Sequence, residues 1–228
     1  MAFLELNQVT YTYRQCGRPA VAGIDLAFDR GGITAVIGPN GSGKTTLTKL
    51  MVGILRPDAG EIRLENRPLR SYSLAGIGRR IGYVFQNPNQ QLFCNTAAEE
   101  IGFGLQCLGW EQEVIGERVA FYLDYFQLAS YRDVFPLHLS RGERQRLAIA
   151  AVLANEPSFL VMDEPTAGLD AYRKRLLSDY LQKVVSLGRG VVFVSHDADF
   201  VRRVATRVIG LESGRIREDS GGDRGHAA

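Results

Sequence analysis

The sequence has no long hydrophobic run and nothing that marks a secreted protein. No apolar stretch approaches the roughly 20 residues that a membrane-spanning helix requires. The N-terminal residues MAFLELNQ lack the basic start and the apolar stretch of a signal peptide. We therefore expect any role at a membrane to be peripheral.

The sequence also contains few cysteines and has a small net charge. The three cysteines, Cys16, Cys94 and Cys107, are odd in number and show no Cys-x-x-Cys spacing. This argues against a disulfide framework or a zinc site and fits a reducing cytosol. The net charge is only +2, and the basic residues are scattered. Nucleic-acid binding is disfavoured, because it usually needs a concentrated basic surface.

Two stretches near the N-terminus show the alternation that is typical of half-buried strands. In EIRLENRPL, Ile62 and Leu64 share one face before a turn that contains Asn66. In FLELNQVTYTY, the roughly alternating apolar residues are Leu4, Leu6, Val9, Tyr11 and Tyr13. Together they predict an antiparallel β portion.

Three other runs, at residues 33–38, 159–163 and 191–196, are continuously apolar. This pattern is typical of parallel strands that helices cover on both faces. Between the early strands and the second of these runs, residues 92–153 are predicted to form an inserted helical subdomain. Its rough helical spacing is seen in Val114, Val119, Leu123 and Phe126.

The clearest motif is GPNGSGKT, residues 38–45, which matches G-x-x-x-x-G-K-[ST]. It follows the apolar run ITAVI and precedes a helical pattern of Leu47, Leu50, Met51 and Ile54. Glycines let successive N–H groups surround phosphates, and the following helix adds its positive N-terminal end. The residues predicted to bind ATP are Gly38, Asn40, Gly41, Ser42, Gly43, Lys44, Thr45 and Thr46. Among them, Lys44 would reach the β- and γ-phosphates and Thr45 would offer a hydroxyl to Mg²⁺.

The predicted fold class is thus α/β. A P-loop NTPase core with a parallel sheet carries the N-terminal antiparallel β portion and the inserted helical subdomain. One domain is predicted over residues 1–219. The tail at 220–228 is glycine-rich and poor in apolar residues, so we expect it to be disordered.

Two adjacent acids end the run FLVMD. Alone, such a pair is often an exposed turn, but a P-loop requires a second anchor for its metal ion. Asp163 is predicted to hold Mg²⁺ through its water shell, and Glu164 to polarise the water that attacks the γ-phosphate.

His196 ends the third apolar run. A lone histidine after a strand is usually structural, yet the carboxyl ends of parallel strands face the crevice where α/β proteins bind ligands. Beside Glu164, the residue is predicted to contact the γ-phosphate and to orient the attacking water.

The stretch HLSRGERQR contains a second helix N-terminus that could bind phosphate. Ser140 and Glu143 have the S-x-x-E spacing of a capping box, so a helix begins there with unpaired N–H groups and a partial positive charge. The chain already has one helix start for its own phosphate loop. We therefore expect the second to address the ATP of another subunit.

In this order the motifs resemble those of the nucleotide-binding subunits of ATP-binding cassette (ABC) transporters, over nearly the whole chain. GPNGSGKTT resembles the Walker A sequence, YVFQNP the Q-loop, LSRGE the signature LSGGQ, FLVMDEP the Walker B, AGLD the D-loop and VSH the switch histidine. The resemblance implies catalytic and metal-binding roles for Gln86, with Thr45 and Asp163 as further metal ligands. It also implies that the Tyr13 ring stacks on the adenine, with a ring that faces the core as the alternative. Asp170 is the residue that matches the D-loop.

In this family the signature of one subunit closes over the ATP of its partner, which implies that Ser140, Gly142 and Glu143 act in trans. Glu143 stands where the family has glutamine, and the capping box tolerates it. Arg141 stands where the family has glycine, which puts the close approach at that position in doubt but keeps the backbone donor.

The region QNPNQQLF, with EIGFG further on, resembles the ATPases of energy-coupling-factor importers for vitamins and for cobalt or nickel ions. This implies a second ATPase subunit, identical or a paralogue, with a transmembrane scaffold and a substrate-capturing subunit at the cytoplasmic face of the membrane. Its apolar residues either pack internally or line a groove for a helix of the membrane partner, and they are Leu92, Phe93, Ile101, Phe103 and Leu105.

Two alternatives remain. An ATPase of an amino-acid or peptide importer would share every motif outside QNPNQQLF. A soluble ABC ATPase acting on DNA or ribosomes is weaker, since residues 86–140 leave no room for coiled-coil arms and the chain has one cassette.

Overall fold

The computed structural model describes residues 2–14 and 16–221, which form two β-sheets and a set of helices. The strands are β1 (Leu4–Tyr11), β2 (Val21–Phe28), β3 (Ile33–Ile37), β4 (Ala59–Leu64), β5 (Arg67–Pro68), β6 (Ile81–Val84), β7 (Phe159–Asp163), β8 (Gly190–Val194), β9 (Arg207–Glu212) and β10 (Arg215–Asp219). The helices are α1 (Lys44–Met51), α2 (Leu74–Gly78), α3 (Ala97–Cys107), α4 (Gln112–Tyr125), α5 (Arg141–Ala154), α6 (Ala171–Ser186) and α7 (Ala198–Val204). Within this described part, no helix is both long enough and apolar enough to cross a bilayer.

The larger sheet has the strand order β10-β9-β3-β8-β7-β6, and its pairings are parallel except for β10 with β9. The three predicted core strands are confirmed as β3, β7 and β8. Met162 and Phe193 face a core shared with the helical subdomain, whereas Val161 and Val194 face a second core shared with α1 and the smaller sheet. Both faces are covered, which explains why these strands read as unbroken apolar runs.

The smaller sheet, β2-β1-β4-β5, is antiparallel as predicted. Ile62 and Leu64 are buried in its core. The alternation in β1 is interrupted at Gln8, whose φ is 49°, and the pairing register shifts on either side of Val9. Strand β1 ends at Tyr11, so Tyr13 lies beyond the strand rather than on its inner face.

The helical subdomain is inserted between β6 and β7, as predicted, and contains α3, α4 and α5. Val119, Leu123 and Phe126 are buried in its core. Val114 is only half-buried, and the neighbouring Ile115 takes the inward position instead. Ile115 and Val119 are separated by about one helical turn, so they share the buried face of α4.

Two details at the ends of elements differ from the sequence pattern. Helix α1 ends at Met51, and Gly53 turns the chain with a φ of 72°, so Ile54 is 43% exposed rather than part of the buried helical face. In the predicted tail, the backbone N–H of Ser220 donates to the Val208 carbonyl. Residues 222–228 of that tail lie outside the described residues.

Candidate nucleotide site

A cavity of about 610 Å³ opens where β3, β7 and β8 end. This is the edge at which a parallel sheet presents its loops to a ligand. The predicted site residues that line it are Tyr13, Asn40, Gly41, Ser42, Gly43, Lys44, Thr45, Thr46, Gln86, Asp163, Glu164 and His196. Residues from five separate parts of the sequence thus meet around one cavity.

The loop between β3 and α1 depends on its glycines. Gly38 and Gly43 have φ values of 148° and 102°. A Cβ at Gly38 would lie 2.0 Å from the Leu211 carbonyl oxygen, and one at Gly43 would lie 2.2 Å from that of Ala20. No other residue fits either position without moving the backbone. Gly38 therefore packs beneath the loop, and the loop's N–H groups and the start of α1 can face an anion.

Lys44 lies at the start of α1 and is buried. Its Nζ donates to the carbonyl oxygens of Gly38 and Pro39, both at 2.8 Å. Burial lowers the pKa of Lys44, while the charges of Glu164 and Asp163 act in the opposite direction. The amine is thus held at the loop, within a partly desolvated space where its charge acts strongly on phosphate.

The carboxylate of Asp163, at the end of β7, is only 1% exposed. Neither of its oxygens has a well-formed hydrogen bond among the described residues, although the Thr45 hydroxyl lies close enough to act on the carboxylate. Burial raises the pKa of Asp163, and this is partly offset by the Thr45 hydroxyl and by Lys49. A buried anion without a partner is costly. The carboxylate and hydroxyl oxygens are ligands that Mg²⁺ prefers, so the residues fit this ion.

Glu164 follows directly, with an unusual φ of 50° for a side-chain-bearing residue, and its N–H donates to the Val194 carbonyl at 3.0 Å. This conformation turns the side chain toward His196 at the end of the next strand. The His196 N–H donates to Oε2 of Glu164 at 3.3 Å, and Nε2 lies 3.4 Å from Oε1. Burial raises the pKa of Glu164, whereas the contacts from His196 lower it. The pair can accept and relay a proton.

Tyr13 and Gln86 also line the cavity. The Tyr13 hydroxyl lies 3.3 Å from Oγ1 of Thr46, and its ring meets Tyr11 edge to face with centroids 5.0 Å apart. Tyr13 is half-buried and therefore keeps exposed ring surface beside the phosphate loop. Gln86 lies two residues past the end of β6.

The predicted signature residues do not line this cavity. The capping box is confirmed: the Ser140 N–H donates to Oε2 of Glu143 at 2.7 Å, and the Glu143 N–H donates to Oγ of Ser140 at 3.3 Å. Asp170 is likewise elsewhere and caps α6 by accepting from the Arg173 N–H at 2.9 Å. The chain thus carries a second helix start that its own cavity does not use.

Gly142 has a contact within the chain that the sequence did not indicate. A Cβ at this position would lie 2.8 Å from the Gly168 carbonyl oxygen. The first turn of α5 therefore packs tightly against the turn that precedes Asp170. The neighbouring Arg141 is exposed.

Sequence reasoning missed part of the cavity wall. The missed residues are Cys16, Arg18, Pro19, Ala20, Pro39, Val194, Ser213 and Gly214. Gly214, in the β9–β10 turn, donates its N–H to the Ser42 carbonyl at 3.0 Å and accepts from the Ala22 N–H at 2.8 Å. The available signal for it was the Ser-Gly pair that follows the apolar stretch of β9, since this pair is typical of a turn.

The apolar residues of the 92–105 region divide into two groups. Leu92, Ile101 and Leu105 are buried, so they pack internally. Phe93 and Phe103 are 64% and 43% exposed, and their rings meet perpendicularly with centroids 4.8 Å apart. The backbone of Phe93 is held by the buried Glu100, which accepts from the Phe93 N–H at 2.9 Å.

A comparison with known families identifies the chain. The model of the family described as ABC transporter matches residues 21–167. The chain belongs to this family. It is an ABC transporter ATPase, which binds and hydrolyses ATP as the ATP-binding subunit of a transporter.

Curated relatives of this ABC ATPase differ in length. A Pyrococcus furiosus protein provisionally described as an ABC transporter ATP-binding protein is 41% identical over 94% of this chain and 82% of its own length. The energy-coupling factor transporter ATP-binding protein EcfA of Methanothermobacter thermautotrophicus is 40% identical over 93% of this chain and 69% of its own length. The chain spans 34% of a provisionally described Methanosarcina acetivorans relative.

Two solved structures share the fold of the ABC ATPase. An ATP-binding cassette in a dimeric post-hydrolysis state, bound to ADP and Pi, is 28% identical with a TM-score of 0.87 and covers 95% of this chain and 97% of its own. CbiO1 from Clostridium perfringens, part of the transporter complex CbiONQ, is 32% identical with a TM-score of 0.81 and covers 96% of this chain and 88% of its own.

Proposed function

We propose that this ABC ATPase powers an importer of the energy-coupling-factor type, which takes up a vitamin or a cobalt or nickel ion. The observation that carries its catalytic part is the contact between Glu164 and His196 at the rim of a cavity that also holds Lys44 and Asp163. The importer type is supported by QNPNQQLF and by the relatives EcfA and CbiO1.

Each residue has a distinct task in this proposal. The phosphate loop and Lys44 bind the phosphates, and Tyr13 stacks on the adenine. Asp163, Thr45 and Gln86 hold Mg²⁺, which when bound neutralises phosphate charge. Glu164 takes a proton from the attacking water, and His196 orients that water and the γ-phosphate. The raised pKa of Glu164 suits a general base, because proton affinity is needed as well as charge.

The second half of the site comes from another subunit in this proposal. The helix start at Ser140 and Gly142, with Glu143 completing the cap, contacts the ATP held by the partner, and Asp170 contributes to the same interface. The first turn of α5 offers N–H groups and a positive dipole end, which attract phosphate. The partner is a second copy of this chain or a paralogue.

The membrane partner docks on Phe93 and Phe103 in this proposal, which keeps the chain peripheral at the cytoplasmic face of the membrane. Two aromatic rings that remain exposed side by side are a common feature of protein interfaces. A helix of the transmembrane scaffold would pack against these two rings. A further small membrane subunit would capture the substrate.

Purification of the tagged chain from detergent-solubilised membranes of its native cell tests this proposal. We expect one scaffold subunit and one or more small substrate-capturing subunits to co-purify. A pair of similar transmembrane subunits with a soluble binding protein would instead identify an amino-acid or peptide importer.

A further inference from the structure

An ion pair links helix α6 to the residue that directly follows His196. Nζ of Lys174, at the start of α6, lies 2.6 Å from Oδ2 of Asp197, which precedes α7. The two side chains are 36% and 19% exposed. The pair is therefore partly desolvated and stronger than a fully exposed surface pair.

Asp197 holds its loop from two sides. Its Oδ1 accepts from the Phe200 N–H at 3.0 Å and so caps α7, while its Oδ2 pairs with Lys174 on α6. Its own N–H donates to Oγ of Ser195 at 3.0 Å. Hydrogen bonding to Lys174 is the main reason why the pKa of Asp197 lies below its ordinary value. The backbone on either side of His196 is thus fixed.

The imidazole of His196 is itself weakly held. Its side chain is 50% exposed, and its contact with Glu164 is long at 3.4 Å. The ring's position therefore depends on the backbone of the loop that carries it. On the inner side of this loop, the Ser195 hydroxyl lies 3.4 Å from that of Thr166, so the loop is also tied to the segment after Glu164.

The other end of the ion pair lies one turn after Asp170. The Lys174 N–H donates to the Asp170 carbonyl at 2.9 Å. The start of α6, where Asp170 is the cap, is thus linked to the loop of His196 by the Lys174 side chain.

We propose that the Lys174–Asp197 ion pair positions His196 against Glu164 during ATP hydrolysis and couples that contact to the turn at Asp170. Lys174 and Asp197 are positioning residues, since neither touches the cavity. The inference rests on the proposed role of His196.

The test uses variants of the full chain that break the pair and leave the helix caps intact. Asp197→Asn keeps an oxygen for the Phe200 N–H, because asparagine caps helices as well as aspartate does. Lys174→Met keeps the apolar stem, and Lys174→Arg keeps the charge. The matched control is Arg202→Met, which removes an exposed pair with Asp199 on α7.

We expect Lys174→Met and Asp197→Asn each to lower kcat about 10- to 100-fold, the usual effect of a displaced reacting group, with KM for ATP and the melting temperature nearly unchanged. The double variant should be no worse than either single one, because one interaction is lost. Lys174→Arg should keep most of the activity, and Arg202→Met all of it.

The NMR signal of the His196 imidazole separates a positioning role of the ion pair from a purely structural one, because only a positioning role predicts that this signal shifts. The chain has three histidines, so the His196 signal is assigned by comparison with His196→Gln. We expect Lys174→Met to shift this signal and Arg202→Met to leave it in place. The inference is overturned if both pair-breaking variants hydrolyse ATP normally, or if kcat falls while the His196 signal stays unmoved. The proposed role of His196 fails separately if His196→Gln itself hydrolyses ATP at the normal rate.

Discussion

Both oxygens of the Glu164 carboxylate face His196: Oε2 accepts from its backbone N–H at 3.3 Å, and Oε1 lies 3.4 Å from its ring Nε2. One histidine thus contacts the acid twice, by a backbone hydrogen bond and by a longer ring contact. The carboxylate lies at the cavity rim with Lys44 and Asp163 nearby, and this arrangement leads to the first prediction.

Glu164→Gln should leave ATP binding intact and lower hydrolysis by about 10²–10⁴-fold, the usual contribution of a positioned general base. The amide keeps the shape of the side chain but cannot take the proton. An ATP-locked dimer should accumulate, and size-exclusion chromatography with ATP would detect it. Near-normal turnover in the purified variant would remove Glu164 from this role.

Asp163→Asn should raise the melting temperature of the nucleotide-free protein at neutral pH. Burial raises the pKa of Asp163, so the protonated form favours the folded state, and this contribution is lost as the pH rises through the raised pKa. Asparagine cannot ionise, so the variant avoids this destabilisation. The difference in melting temperature between the variant and the wild type should therefore shrink toward acidic pH.

Thermal unfolding without nucleotide or magnesium measures this effect. Asp199→Asn is the matched control, because its side chain is 90% exposed and should show little change. A lower melting temperature for Asp163→Asn at neutral pH would contradict the prediction.

Phe93→Asp and Phe103→Asp should weaken binding of the membrane partner while nucleotide binding to the isolated chain stays nearly normal. Both rings are exposed, so a charge there costs little folding energy but spoils an apolar contact. Co-purification with the membrane subunits measures the loss. Leu187→Asp, an exposed apolar residue at the end of α6, is the control and should retain the partner. Variants that fail to fold would show that the two rings stabilise the fold and would contradict a role confined to docking.

Ser140→Arg should leave ATP affinity of the monomer unchanged and abolish the closed dimer and hydrolysis. Losing the cap alone costs about 1 kcal/mol, which a domain of this size survives. The bulky side chain would occupy the place of the partner's γ-phosphate. Arg141→Gly should do far less, since it retains the backbone donors.

Mixing Ser140→Arg with Lys44→Ala subunits tests the trans arrangement directly. A mixed pair has one composite site with both lesions and one with neither, so some activity should return. Both lesions placed in one subunit and mixed with wild type spoil both sites, which provides the control. An inactive mixture, with mixed dimers demonstrably formed, would argue against independent sites completed in trans.

The phosphate loop, the core strands and the capping box at Ser140 could be predicted because each depends on residues that are close in sequence. The β9–β10 hairpin could not. Strand β10 reads RIRED, where only Ile216 is apolar and even that residue is half-buried, so local polarity hides a strand that exists because β9 pairs with it.

Contacts between distant segments were likewise invisible in the sequence. The need for glycine at Gly142 arises from the Gly168 carbonyl, and the positions of Gln8 and Ile54 follow from backbone turns. The clustering of Glu164 with His196 was predicted, because the ends of adjacent parallel strands must meet. The ion pair between Lys174 and Asp197 was not predicted, since it joins two helix starts that are far apart in sequence and share no pattern.

The phosphate loop is completed by a part of the chain that is synthesised much later. Leu211 closes the space under Gly38, and Gly214 bonds to the Ser42 carbonyl. On the ribosome, the loop therefore emerges long before the hairpin that supports it. A nascent chain that ends before residue 214 has the nucleotide motif without these contacts, so we expect ATP to stabilise the fold fully only after this hairpin has left the exit tunnel.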